Sequence, residues 1–576
     1  MKVMLRFLKP HWKICFLAIL CIFFDVAGAL YIPTLAADML NAGTTSTNMS
    51  VLLDTGLKMA VVSVVSGAGA ILGSYICAIL SGRLGKDIRD AIYKKSLKLS
   101  VSDFKHFGTA SITTRTISDI TNIQMSVISF IQMALPVPII FILSTILTFR
   151  MDVTFGWILM GIVALVVIAT IIIMKSVSPL FRRLQKILDK MGRILLENIT
   201  GVRVVRAFRK EKDEEGRLEA ACKEYAGTSI KANVLFANLD GISVFMINLF
   251  IIAVYWLSGA KITAGRFQIG DINAVINYAI LLLTYLMMAQ IIIMILPRAL
   301  ECCSRIQEVL DHSPEITDRV SEDRKTDAVS EDVLTFEHVY FRYADAEENT
   351  LHDLDFVCKR GQTTAIIGGT GSGKSTIASL ILRFHDVRGG AVRLNGTDIR
   401  EMTQQELRSH LAYVQQKAWL FSGTIAENLR YSNPDATEEE LRHALEIAQA
   451  SEFVDTLPDG LDSYVAQGGT NFSGGQKQRL SIARALVKTA DLYIFDDSFS
   501  ALDFKTDAAL RKALNKETED SAVLIIAQRV SSIRHAEQII VLNQGEIVGK
   551  GTHDELMESC SVYKEIVDSQ TKEAGE

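Results

Sequence analysis

Thr364-Ala-Ile-Ile-Gly368-Gly369-Thr370-Gly371-Ser372-Gly373-Lys374-Ser375-Thr376 fits the pattern G-x-x-x-x-G-K-[ST] with an apolar strand in front of it. The glycines let backbone N–H groups wrap phosphates. Lys374 brings a point charge to the β- and γ-phosphates, and the Ser375 hydroxyl is a ligand for Mg2+. About 120 residues further on, Leu492-Tyr-Ile-Phe-Asp496-Asp497 is four apolar residues ending in acid. This reads as a buried strand with a carboxylate at its tip, where a P-loop nucleoside triphosphatase keeps its Mg2+-side aspartate. Asp496 is therefore the second candidate metal ligand. Around these two stretches, strand patterns at Val333–Phe336, Thr363–Ile367, Ala412–Val414, Leu492–Phe495 and Val523–Ile526 alternate with helical ones. That predicts an α/β domain over 331–576.

Upstream the chain changes character. Its 576 residues are 49% hydrophobic and 22% charged, with a mean hydropathy of +0.25. A soluble protein of this size sits below zero, so much of the chain belongs in lipid. Nine Pro and this apolar content exclude a collagen-like or disordered chain. Eight Cys, several within apolar runs and none at metal-ligand spacing, exclude a secreted disulfide scaffold. Cys302–Cys303 reads as helix packing rather than redox chemistry. The net charge of −5 is the sum of unlike halves. Residues 1–312 carry 32 Lys and Arg against 21 Asp and Glu, and residues 313–576 carry 28 against 44. A basic, apolar first half fits cytoplasmic loops facing anionic membrane lipid. An acidic second half excludes nucleic acid as a partner.

Six stretches are long enough to span a bilayer: Ile14–Ala37, Met59–Gly82, Ile120–Phe149, Val153–Met174, Gly241–Ala260 and Ile272–Pro297. Five hold no charge and the first holds one, Asp25. The first run is too long for a signal peptide's apolar region. Lys and Arg crowd the N-terminal tail and the loops after spans two and four, so those loops and both termini are expected in the cytoplasm. Both loops keep apolar residues at helical spacing, such as Leu180, Leu184, Ile187 and Met191. They read as span helices continued beyond the lipid, turning near Phe104–Gly108 and Arg209–Glu215. Asp25 in mid-span either faces a substrate or cation, pairs with a polar neighbour, or is protonated. Residues 313–330, polar and without apolar period, read as a linker.

Between the two nucleotide motifs lies Asn471-Phe-Ser473-Gly474-Gly475-Gln476-Lys-Gln-Arg479-Leu. Ser473 and the N–H groups of Gly474 and Gly475 stand at a helix start, which suits a γ-phosphate. With this run the chain resembles the ATP-binding cassette (ABC) transporters of the exporter half-transporter plan: an all-α six-span domain, 1–312, followed by one α/β cassette. The resemblance implies further roles. Tyr343 matches the aromatic that stacks on adenine. Gln416 matches the glutamine that contacts Mg2+ and the membrane domain. Ser500-Ala-Leu-Asp503 matches the D-loop, and the two cytoplasmic turns match coupling helices. It also implies that Ser473–Gln476 binds the phosphate held by a second cassette's P-loop, so two chains sandwich two ATP molecules.

Three positions depart from the family pattern. Asp497 stands where the family has a catalytic Glu, Gln528 replaces the switch histidine, and Gln467 stands where many exporters have Glu. The first is shorter by one methylene, and positioning errors of about 1 Å can cost roughly 100-fold. The second can hydrogen-bond a phosphate but cannot become cationic. The expectation is a degenerate site that binds ATP and Mg2+ and hydrolyses slowly, in a heterodimer whose partner chain keeps its own Glu and His. Such a pair resembles asymmetric bacterial exporters of drugs, and a bacterial inner-membrane location follows from that resemblance. Substrates expected of an apolar cavity are amphipathic drugs, peptides or lipids. The rival expectation is an ATP-gated channel or regulatory subunit. A translation or repair ATPase has no use for six spans, and importers do not fuse spans and cassette in this order.

Overall fold

The computed structural model describes residues 2–45, 49–263, 267–318 and 330–573. Most of the predicted linker, 319–329, lies outside the described residues. The chain divides into two units, Met1–Leu97 with Gly108–His312, and Lys98–Phe107 with Ser313–Glu576.

Among the described residues of the first unit, six helices are long and apolar enough to cross a membrane: Val3–Thr44, Met49–Ser96, Thr109–Met151, Val153–Thr200, Glu211–Thr263 and Ile269–Asp311. They run to 42–53 residues, and at 1.5 Å per residue that is about twice the hydrocarbon thickness of a bilayer. The charged ends therefore continue as helix beyond the lipid. Small residues bring spans one and two together: a Cβ on Gly69 would lie 2.9 Å from the Cys21 carbonyl oxygen. Asp25 takes the second of its expected roles, since the Ser66 hydroxyl donates to its carboxylate at 3.2 Å.

Span three contains two wide π-helical turns, Arg115–Asp119 and Phe130–Ala134. The second immediately precedes Leu135 and Pro136, where the proline has no N–H and its ring crowds the preceding turn; the ladder opens to Leu135 N–H donating to Phe130 O at 3.0 Å. In the first, Arg115 and Asp119 reach span six. Arg115 donates to Glu308 (3.0 Å) and to the Arg305 carbonyl (2.9 Å). Asp119, 1% exposed, accepts from Arg305 at 2.9 and 2.6 Å. Arg305→Ala leaves that carboxylate buried without its cation, which costs about 3–5 kcal/mol. We expect a clearly lower thermal midpoint in detergent for Arg305→Ala than for Asp119→Asn, because the latter leaves only a part-exposed guanidinium. Equal shifts would contradict the burial argument.

The predicted single turns in the two cytoplasmic loops need correction. Each is a short helix between two breaks. Val101–Phe107 follows Leu97–Ser100 and stops at Gly108, which has a positive φ of 76°. In the second loop a break precedes Arg209–Glu215 as well: span four ends at Thr200, Val202–Ala207 forms a short helix, and Arg209, at the start of the predicted turn, turns the chain at φ 53°. Glu211–Glu215 is already helical, because Glu211, Asp213 and Glu214 favour a helix N-terminus.

Among the described residues of the second unit, twelve strands run β1 (Asp332–Phe341), β2 (Leu351–Lys359), β3 (Thr363–Gly368), β4 (Gly389–Leu394), β5 (Thr397–Asp398), β6 (Leu411–Val414), β7 (Gly423–Thr424), β8 (Tyr464–Val465), β9 (Leu492–Asp496), β10 (Ala522–Ala527), β11 (Gln538–Asn543) and β12 (Glu546–Gly551). The main sheet has the order β12-β11-β3-β10-β9-β6, parallel except for β12. A second, antiparallel sheet has the order β2-β1-β4-β5. The main strands are apolar on both faces and split by alternation. Ala365, Ile367, Tyr493, Phe495, Val523 and Ile525 enter one core. Ile366, Leu492, Ile494, Leu524 and Ile526 enter the other. This double burial fixes the register, and so fixes which residues emerge at the carboxyl ends of β3, β9 and β10.

Candidate nucleotide-binding site

Those carboxyl ends build the site, as expected of an open parallel sheet. β3 ends at Gly368, the loop turns through Gly371 and Gly373 with φ of 82° and 98°, and the helix Lys374–Ile381 begins. Side chains rarely adopt those angles, so the turn needs glycine there. Gly368 is held by space instead, since a Cβ on it would collide with the Leu542 carbonyl of β11. Gly369, Thr370 and Gly371 are exposed at the loop's tip, and Ser372 is buried beneath it. The Lys374 ammonium donates to the carbonyls of Gly368 and Gly369, both at 2.7 Å. Burial holds its pKa below the usual lysine value, against the pull of the Asp497 and Asp496 carboxylates.

Asp496 caps β9 next door. Its Oδ1 accepts from the Ser375 hydroxyl at 3.3 Å and its Oδ2 from Tyr413 at 3.5 Å. Burial pushes its carboxyl above the ordinary range; the Ser375 hydrogen bond opposes this, and Asp497 adds to it. A half-stabilised carboxylate beside a hydroxyl is a hard-oxygen pair that suits a divalent cation. Asp497 follows in the left-handed region at φ 47°, a conformation that costs about 1–2 kcal/mol for a residue with a Cβ. Its N–H donates to Ile526 O at 2.7 Å, and Ser500 donates to its carbonyl at 2.9 Å, which holds it there. Its carboxylate accepts from the Gln416 amide at 3.1 Å. β10 pairs Ile526 with Asp496, so Gln528, exposed, sits one residue past the end of the adjacent strand.

Tyr343 joins the site through its hydroxyl, 3.2 Å from Thr376 Oγ1. Its ring stands edge-on to Phe341 and His385, at 4.8 and 5.3 Å. Lys105, from the short helix of the first cytoplasmic loop, lies 5.9 Å from the ring centre and pairs with Asp345 at 3.3 Å. Lys105, His385 and Tyr413 are not evident from the sequence. They share no motif with Tyr343 or Asp496, and only the folded chain makes them neighbours.

Ser473–Gln476 and Asp503 form a second cluster. Ser473 caps the helix Gly474–Leu486 in a reciprocal box with Gln476: its hydroxyl accepts from Gln476 N–H at 3.3 Å, and its N–H donates to Gln476 Oε1 at 2.9 Å. Gly475 backs onto the D-loop, where a Cβ would lie 3.3 Å from Ala501 O. Asp503 caps the helix Phe504–Glu517. Among the described residues no hydrogen bond joins this cluster to the P-loop, and Ser473, Gly474 and Asp503 are exposed.

Comparison with known proteins agrees with both halves. The ABC transporter transmembrane region matches residues 12–286, and the ABC transporter cassette matches 351–500. A Mycobacterium tuberculosis protein, named there only as an ABC transporter ATP-binding protein, is 34% identical over 570 residues, covering 98% of this chain and 97% of its own. The ATP-dependent lipid A-core flippase of Chromobacterium violaceum is 26% identical over 574 residues, 99% of this chain and 97% of that one. The solved structure of a bacterial Atm1-family ABC exporter with ATP bound superposes with a TM-score of 0.78 at 26% identity, covering 97% of this chain and 98% of that one. The chain belongs to the ABC transporter family. It is an ATP-driven transport ATPase of exporter type, a multi-pass integral membrane protein with a cytoplasmic ATP-binding domain.

Proposed function

We propose that this chain is the slow-hydrolysing half of a heterodimeric exporter of amphipathic compounds. Tyr343 stacks on adenine. The N–H groups of Gly369–Ser375 and the Lys374 ammonium take the phosphates, with Thr376 steadying Tyr343. Ser375 and Asp496 would hold Mg2+, with Gln416 at its edge, and the ion would neutralise charge developing on the phosphates. Asp497 is left to orient the attacking water.

The observation that carries the reading is the pairing of Asp497 with Gln528. The carboxylate is one methylene short of the family's Glu, held by Gln416 on a strained backbone. The neutral amide of Gln528, one residue past the end of β10, cannot offer a positive charge as a histidine can. A nucleotide is gripped and the water is poorly aimed. The Ser473–Gln476 run, by contrast, keeps the family pattern and is capped, with Ser473 and Gly474 exposed. It is available to a γ-phosphate on another chain, which supports a partner with its own Glu and His. A homodimer would contain two poor pockets. The amphipathic substrate class rests on the apolar spans and on the lipid flippase among the relatives.

Purified alone, this chain is expected to hydrolyse ATP far below the rate it shows after co-expression with a partner chain carrying the Glu and His. Equal specific activities would contradict the heterodimer.

A further inference from the structure

The C-terminal helix Ser561–Glu573 reaches the loop that carries Gln528. Tyr563 nails the helix down: it is fully buried, with its hydroxyl 2.8 Å from His553 Nδ1. Ile566 and Val567 pack on the same core. Positions 563, 566, 567 and 570 share one helix face. The apolar stripe therefore ends in an amide, Gln570, where its spacing calls for another apolar residue.

That amide is used twice. Gln570 Nε2 donates to the Gln528 carbonyl at 2.7 Å, and Gln570 Oε1 accepts from the Val530 N–H at 2.8 Å. The two backbone groups flank Arg529, which is extended at φ −98° and ψ 128°. Gln570 thus pairs with the loop as a neighbouring strand would, just where β10 stops. Val530 opens a short 3-10 turn, whose first N–H has no partner within the turn. On the far side Arg511 donates to the Ser531 carbonyl at 2.8 Å and pairs with Asp507 at 2.7 Å. Arg511 lies on the helix that Asp503 caps. The loop is clamped between the D-loop helix and the C-terminal helix.

We infer that Gln570 is a positioning residue of the nucleotide pocket, fixing the backbone from which Gln528 reaches the phosphate. This rests on the assignment of Gln528 to that pocket made above. Because Gln528 is neutral and exposed, its aim depends on its backbone, and that backbone is held by the last helix of the chain.

The test uses the full-length protein with ATP and Mg2+. Gln570→Met keeps length and packing and removes both hydrogen bonds. Gln570→Glu keeps the acceptor for Val530 and removes the donor to Gln528. Each bond contributes modestly, so losing both is expected to raise amide hydrogen exchange of residues 528–534 about tenfold in the Met variant. Exchange in β3 and in Gly474–Leu486, and the thermal midpoint, should hold. The Glu variant should fall between. In an Asp497→Glu, Gln528→His background, chosen to speed turnover in this pocket, Gln570→Met should lower kcat severalfold with KM for ATP within about twofold. Unchanged exchange at 528–534 overturns the inference. So does a rise spread over the whole cassette with a matching fall in midpoint, or local opening with kcat unaltered. The exchange readout does not depend on which pocket hydrolyses ATP, so its failure and that of the slow-pocket reading are separable.

Discussion

The double variant Asp497→Glu, Gln528→His is expected to hydrolyse ATP in its own pocket about 100-fold faster than the unaltered chain. The measurement is made in a complex with the proposed partner chain, its catalytic Glu replaced by Gln, so that the remaining turnover belongs to the pocket built on Lys374. The longer carboxylate extends from a backbone already fixed by Ile526 and Ser500, so the added methylene is spent on reach toward the water. Asp497→Glu alone should recover most of the gain. Gln528→His alone should recover little, because an imidazole beside a misplaced base has nothing to assist. The two changes act on one transition state, and their effects should be coupled rather than additive. A double variant that binds ATP normally and stays slow would show that these two positions are not what limits the pocket.

The second large effect is expected from Gly474→Asp. Gly474 is exposed, has ordinary backbone angles, and leaves open space for a Cβ. It is the first residue of the helix capped by Ser473, so a carboxylate there favours the helix by about 0.3–1 kcal/mol. The fold should be as stable as the parent's or slightly more so. A γ-phosphate approaching the same N–H groups meets a like charge instead, and the site loses its anion-binding character. We expect turnover of the complex to fall by about 100-fold or more, while ATP binding by the Lys374 pocket and the thermal midpoint are retained. Loss of nucleotide binding at Lys374 would mean that Ser473–Gln476 serves its own chain.

Much of the fold, and the centre of the candidate site, can be read directly from the amino-acid sequence. The P-loop declares itself because phosphate wrapping demands glycine at fixed spacing. The strands predicted at Thr363–Ile367, Leu492–Phe495 and Val523–Ile526 lie within β3, β9 and β10, because strands buried on both faces are apolar throughout. The six spans follow from length and lack of charge. What stays hidden depends on the folded chain. The first π turn of span three lies where Arg115 and Asp119 meet span six, and helical periodicity carries no sign of it. The sequence pattern extends the second cytoplasmic turn too far, because the charged run Glu211–Glu215 resembles a loop and is in fact an N-terminal helix turn. Lys105 stands 238 positions ahead of Tyr343 in the sequence, and nothing local links them. Gln570 does leave a trace, an amide on an otherwise apolar helix face.

The most direct test of the slow-pocket reading is to ask which chain traps nucleotide during turnover. The complex is incubated with a photoreactive ATP analogue, Mg2+ and vanadate, washed, crosslinked and separated by chain. Trapped diphosphate should label the partner, while this chain carries intact triphosphate that is lost on Lys374→Ala. Vanadate-dependent diphosphate on this chain, with the partner unlabelled, would contradict it.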